Sequence, residues 1–230
     1  MLQISIVTMT YFDSALKLGF GSSLLAFLGA VSYCVVQILQ LLGIVHYPVD
    51  AILIYSTSLI IAPSYLIAVV ALHYVTAPAK QLWSLAALVF AIMYAVFCVF
   101  MYTIQLVTVI PLSLKNTTEN ILTVKPQSFF WTVDGLGYIC LGISTMFASF
   151  TFRMHNSEKA IKQILFANGL LVPVISFVYF YPHFSTRLLA LAFPWVITVP
   201  GSFLLLSLFF RGTSIKYEPG QFADAMQKST

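Results

Sequence analysis

Asp134 stands inside a long apolar run, Phe129–Phe152, whose other residues carry no charge. A carboxylate at the centre of a bilayer costs at least about 2.5–3.5 kcal/mol, so a residue of this kind needs a partner or a function. Two chemistries fit it. As a fixed negative charge between helices, it would hold a cationic, polar or lipid-like ligand, or exchange a proton with a tyrosine hydroxyl. As a first-turn residue of a helix starting near Thr132, it would only complement the positive helix end, for about 0.3–1 kcal/mol. The sequence leaves both readings open.

Other polar residues recur at helical spacing in the apolar runs around it. Tyr33, Gln37 and Gln40 fall on one helical face, and so do Tyr94, Cys98, Tyr102 and Gln105. Asp134, Tyr138 and Thr145 fall along one side of their run. Further polar groups are the "YSTS" stretch at 55–58, Ser64 and Asn168. Asp134, Tyr138, Tyr102, Gln105, Gln37 and Gln40 are therefore the candidate ligand-binding residues. The competing reading is that the amides and hydroxyls only join helices, at about 0.6 kcal/mol each and seldom above 2.

Several chemistries lack their residues. Among His46, His73, His155 and His183 only His73 falls within an apolar run, and there is no HExxH. A zincin-type metal site and a bis-histidine haem are excluded on that ground. No lysine lies in the core of a run, which removes a Schiff-base chemistry. A second intramembrane carboxylate for an aspartyl dyad is missing, as is a phosphate-cradling glycine loop with lysine. Cys34, Cys98 and Cys140 lie in apolar runs and read as packing residues. No cofactor or metal is expected.

The elements that must position Asp134 follow from composition. The 230 residues are 60% hydrophobic and 8% charged, with a mean hydropathy of +0.95. A chain this poor in charge cannot cover a water-facing surface, so lipid is the solvent for most of it. Six continuous apolar runs stand out: 18–44, 51–75, 82–110, 129–152, 164–181 and 188–210. Each suits a helix crossing a hydrocarbon core of about 30 Å. Continuous rather than alternating hydrophobicity selects helices over barrel strands. The expected fold is all-α, a polytopic integral membrane six-helix bundle with short loops. Residues 1–17 form an N-terminal segment suited to the membrane surface, 18–210 the transmembrane domain and 211–230 a polar tail.

Basic residues orient the chain. Lys17, Lys80, Arg153, Lys159, Lys162, Arg211, Lys216 and Lys228 fall on one side, and Lys115, Lys125 and Arg187 on the other. The positive-inside rule then places both termini in the cytoplasm and Asp134 in the outer half of the bilayer. The first run is a full span, too long for a cleavable signal, so it serves as signal and anchor together. Asn116-Thr117-Thr118 matches a glycosylation acceptor on the outer side. The clusters at 129–131 and 177–184 read as interfacial aromatic belts. Pro63 and Pro173, in the second and fifth runs, raise the question of two inverted three-span halves. The "WVITVPGS" stretch at 195–202 is the strongest kink candidate.

The function expected from these residues is binding or transport of a small or lipid-like ligand in an outward-facing polar pocket around Asp134. Two alternatives stand beside it. One is a structural or accessory subunit working through a membrane-protein partner. The other is a lipid-modifying enzyme using Asp134 with Tyr102 or Tyr138, although no nucleophile or metal set supports one. The partners are the lipid bilayer and a small-molecule or lipid ligand; the lack of any dense basic run argues against nucleic acid.

Overall fold

The computed structural model describes residues 2–115, 122–154 and 158–216. Among these, every regular element is helical and no strand occurs. Six spans are long and apolar enough to cross a membrane: Tyr11–Leu41, Val49–Val75, Pro78–Leu114, Phe129–Ser149, Glu158–Phe180 and Arg187–Thr213. In hydrocarbon each backbone N–H and C=O must be satisfied within its own segment, and helices achieve this where isolated strands cannot.

Helix α1 (Leu2–Leu41) runs without a break through the expected boundary at residue 17. At 1.5 Å per residue it is about 60 Å long, roughly twice the hydrocarbon thickness. Its early part therefore projects beyond the apolar layer, where Asp13 and Lys17 pair at 2.6 Å. Its far end is closed by Gly43, whose φ of 66° lets Ile44 N donate to Leu39 O at 2.9 Å and Gly43 N to Gln40 O at 3.0 Å. That pair of bonds satisfies carbonyls which the helix end would leave open.

Helix α2 (Val49–Val75) carries Asp50 in its first turn and continues through Pro63. The third span opens with a short 3-10 turn, Pro78–Lys80, and continues as α3 (Gln81–Ile104). A widened π turn at Gln105–Val109 and then α4 (Ile110–Leu114) complete it. Pro111 supplies the reason for the widening, since its ring cannot donate and crowds the preceding turn. The fourth span is α5 (Phe129–Ser149).

The fifth span is divided at Leu171 into α6 (Glu158–Leu170) and α7 (Val172–Phe180), with Pro173 near the start of α7. Pro63 and Pro173 are thus not equivalent: one lies in an unbroken helix and the other beside a break. The sixth span holds α8 (Thr186–Ala190) and α9 (Trp195–Lys216). Its interruption falls at 191–194, ahead of the stretch expected to kink, and α9 runs through Pro200.

The spans close into a ring in chain order. α1 packs on α2 and α9, α2 on α3, α3 on α5, α5 on α6 and α7, and α6 on α9. Small residues line the close approaches, among them Ala26, Ala30, Ala62, Ala68, Ala87 and Ala91, all fully buried. Gly169 faces Met146 and the Gly142 carbonyl, and Gly142 faces Val172. The outer faces display Leu28, Val35, Ile60, Val89, Val96, Phe100 and Leu208. That arrangement suits lipid contact on all sides. The acceptor sequence at Asn116 and the tail beyond Lys216 lie outside the described residues.

Candidate functional site

Ser128 rather than Asp134 begins α5. Its hydroxyl accepts from Trp131 N at 3.2 Å, with Ser128 in extended backbone. Asp134 is then the sixth helical residue, beyond the first turn, and the reading as a helix-end charge falls away. Asp50 fills such a role instead, at the start of α2. Its Oδ1 accepts from Ala51 N at 2.7 Å and its Oδ2 from Gln40 Nε2 at 2.7 Å.

The Asp134 side chain points between helices. Tyr102, near the end of α3, donates its hydroxyl to Oδ1 at 2.6 Å. Tyr179, near the end of α7, donates to Oδ2 at 2.7 Å. Gly135 makes this second bond accessible: a Cβ there would fall 2.7 Å from the Tyr179 ring. Trp131 Nε1 donates to the Tyr179 carbonyl at 2.9 Å, and the two rings lie 4.6 Å apart. One turn deeper, the Tyr138 hydroxyl pairs with that of Tyr33 at 2.9 Å, and Gln37 Nε2 donates to Tyr33 at 3.2 Å.

Every span sends an aromatic residue with a polar edge to this end of the bundle. Tyr33 comes from the first, Tyr55 from the second and Tyr102 from the third. Trp131 and Tyr138 come from the fourth, Tyr179 from the fifth and Trp195 from the sixth. Tyr55 stacks on Tyr102 at 5.4 Å and 24°. Trp195 meets Tyr33 and Tyr138 edge-on, at 5.5 and 5.3 Å. Its indole N–H is buried without a nitrogen or oxygen partner.

No described Lys, Arg or His is ion-paired with Asp134. A carboxylate can only accept, and both of its oxygens do so here, which fits an ionised group stabilised by two charge-assisted hydrogen bonds. Asp134, Tyr33, Gln37, Tyr55, Trp131, Tyr138, Tyr179 and Trp195 are each only partly buried.

The far half of the bundle differs. Tyr65, Ser144, Thr145 and Asn168 are fully buried. Ser144 donates to Ala87 O at 2.7 Å and pairs with Tyr65 at 2.8 Å. Asn168 donates to Thr145 at 2.9 Å and accepts from Thr198 at 2.8 Å. These groups are hydrogen-bonded to one another and to backbone, and they join helices.

Of the six candidate residues, four belong to one constellation. Tyr102 touches Asp134, while Tyr138 and Gln37 connect through Tyr33. Gln40 does not join it: it is exposed and holds Asp50 at the rim. Gln105 does not join it either. It is buried, and its Nε2 donates to Leu122 O at 2.9 Å, tying down the link between the third and fourth spans. Tyr138 bonds Tyr33 rather than Asp134, so only Tyr102 of the two tyrosines considered for proton transfer reaches the carboxylate. Tyr179, Trp131, Tyr55 and Trp195 were not among the candidates. Two of these sit in clusters that composition assigns to an interfacial belt, yet Trp131 and Tyr179 turn toward Asp134. No family model, no curated protein and no solved structure matches this chain.

Proposed function

We propose that the chain is a multi-pass integral membrane protein that binds, and by the same site carries, a small ligand at the Asp134 end of its bundle. The observation supporting this is that all six spans bring polar-edged aromatics to the end of the bundle that holds Asp134, and that these side chains, apart from the buried Tyr102, are only partly buried. A group needed only to join helices sits deeper and sealed, as Ser144 and Asn168 do. In the same proposal both termini face the cytoplasm and the Asp134 end faces away from it, because seven of the eleven basic residues lie in the described part of the opposite end.

A second reading, an accessory subunit with no ligand, has one observation in its favour: both oxygens of Asp134 already have partners within the chain. Cysteine accessibility separates the two. In a background with Cys34, Cys98 and Cys140 replaced by alanine, Gln37→Cys should react with a membrane-impermeant methanethiosulfonate reagent added outside the cell. Asn168→Cys should stay inert. An unreactive Gln37→Cys from both sides of the membrane removes the ligand-site reading, and reaction only from inside reverses the orientation.

A further inference from the structure

We infer that the ligand of this site is an organic cation carrying an alkylated ammonium group, seated against Asp134 and the aromatic faces around it. The inference rests on the ligand-site reading above and names its substrate class. Three observations lead to it.

The first is charge. Asp134 brings a negative charge among helices that supply no basic partner to it. Its two tyrosine donors spread that charge without neutralising it, so a cation is the complement the site lacks. An anionic ligand would add like charge in a poorly screened setting.

The second is the wall. The aromatic ring faces carry partial negative charge, and cations placed over them are attracted. The rings here are held by one another and by hydrogen bonds, as in the Tyr55–Tyr102 stack and the Trp131–Tyr179 pair. A wall already ordered loses little freedom on binding.

The third is the scarcity of free oxygen ligands. A hard metal cation needs about six oxygens around it. The Tyr33, Tyr102, Tyr138 and Tyr179 hydroxyls are committed to each other or to Asp134. A methylated ammonium group is weakly hydrated and asks for apolar and aromatic surface with one counter-charge, which is what this end offers. A lipid-like ligand without a positive charge would make no use of the carboxylate.

The test uses the full chain in nanodiscs, with choline and 3,3-dimethylbutan-1-ol as probes. The two have the same shape, and only the first is charged. Choline should slow the labelling of Gln37→Cys at a concentration at least tenfold lower than the alcohol requires, and sodium at choline's concentration should not. Asp134→Asn should abolish the tenfold margin. Tyr55→Leu should weaken choline several-fold while Tyr55→Phe retains it, since the face rather than the hydroxyl acts; this pair keeps the test informative if Asp134→Asn fails to fold. Equal protection by both probes, protection by sodium, or no protection by choline overturns the inference. The ligand-site reading fails in a different way, by a Gln37→Cys that no reagent reaches.

Discussion

Tyr179 reaches Asp134 across the seam between the fifth and fourth spans, its hydroxyl 2.7 Å from Oδ2, and the absence of a side chain at Gly135 leaves the room for its ring. Tyr102 does the same from the third span at 2.6 Å. One carboxylate therefore fastens three spans. Hydrogen bonds to an ionised acceptor contribute about 1.5–3 kcal/mol each. Tyr102→Phe and Tyr179→Phe should each destabilise the detergent-solubilised protein by about that much in thermal unfolding. Each should couple to Asp134→Asn in a double-mutant cycle. Single variants that melt with the parent chain would show that these hydroxyls do not hold the charge.

The neutral node in the other half should respond less. Tyr65→Phe removes one hydroxyl from Ser144, which keeps its bond to the Ala87 carbonyl. Neutral bonds between membrane helices average about 0.6 kcal/mol and reach about 1.7. Tyr65→Phe should therefore cost less than Tyr179→Phe in the same unfolding assay. The reverse order would contradict the assignment of Asp134 as ionised.

Two glycines on different faces give opposite expectations. At Gly135 a methyl group lands 2.7 Å from Cδ1 of Tyr179 and 2.9 Å from its Cβ, close to the backbone where the side chain cannot swing aside. Gly135→Ala should cost about 1–3 kcal/mol through overpacking and should weaken the hold of Tyr179 on Asp134. Gly21 has nothing within 4 Å of the same position. Gly21→Ala should stabilise α1 by about 0.5–1 kcal/mol by lowering the freedom of the unfolded chain. Equal melting temperatures for the two variants would count against the close approach of α5 and α7.

The distinction between a helix-end group and an interior charge is also measurable. Ser128→Ala should cost about 1 kcal/mol, the usual loss of an N-cap. It should leave the labelling rate of Gln37→Cys unchanged, because the hydroxyl serves only Trp131 N and Lys125 N. Asp134→Asn should change that rate for charged reagents. A Ser128→Ala variant that alters labelling as strongly as Asp134→Asn would mean that α5 is positioned by its cap rather than by its interior contacts.

Six apolar runs separated by short polar links were enough to define six spans, because hydrocarbon permits few backbone states and leaves a long signature in composition. Helical spacing groups Tyr33 and Gln37 on one side, and the structure joins them to Tyr138 there, but Gln40, from the same face, is exposed. Breaks were less legible. Pro173 stands beside an interruption, while Pro63 and Pro200 lie within continuous helices. Whether a proline breaks a helix depends on what neighbouring groups offer the freed carbonyl, and spacing along one chain carries no record of that.

The sequence by itself determined the helical class, six spans long and apolar enough to cross a membrane, and the presence of one carboxylate inside an apolar run. Only the tertiary structure decided that Ser128 caps α5 and that Asp134 turns inward to Tyr102 and Tyr179. It also placed Gln105 on Leu122 and Gln40 on Asp50, outside the constellation they were expected to join. Trp131 and Tyr179 show the physical reason. An aromatic residue near the end of a span is equally suited to the headgroup layer and to the bundle interior, and the choice is made by the rotation of its helix against neighbours distant in the chain.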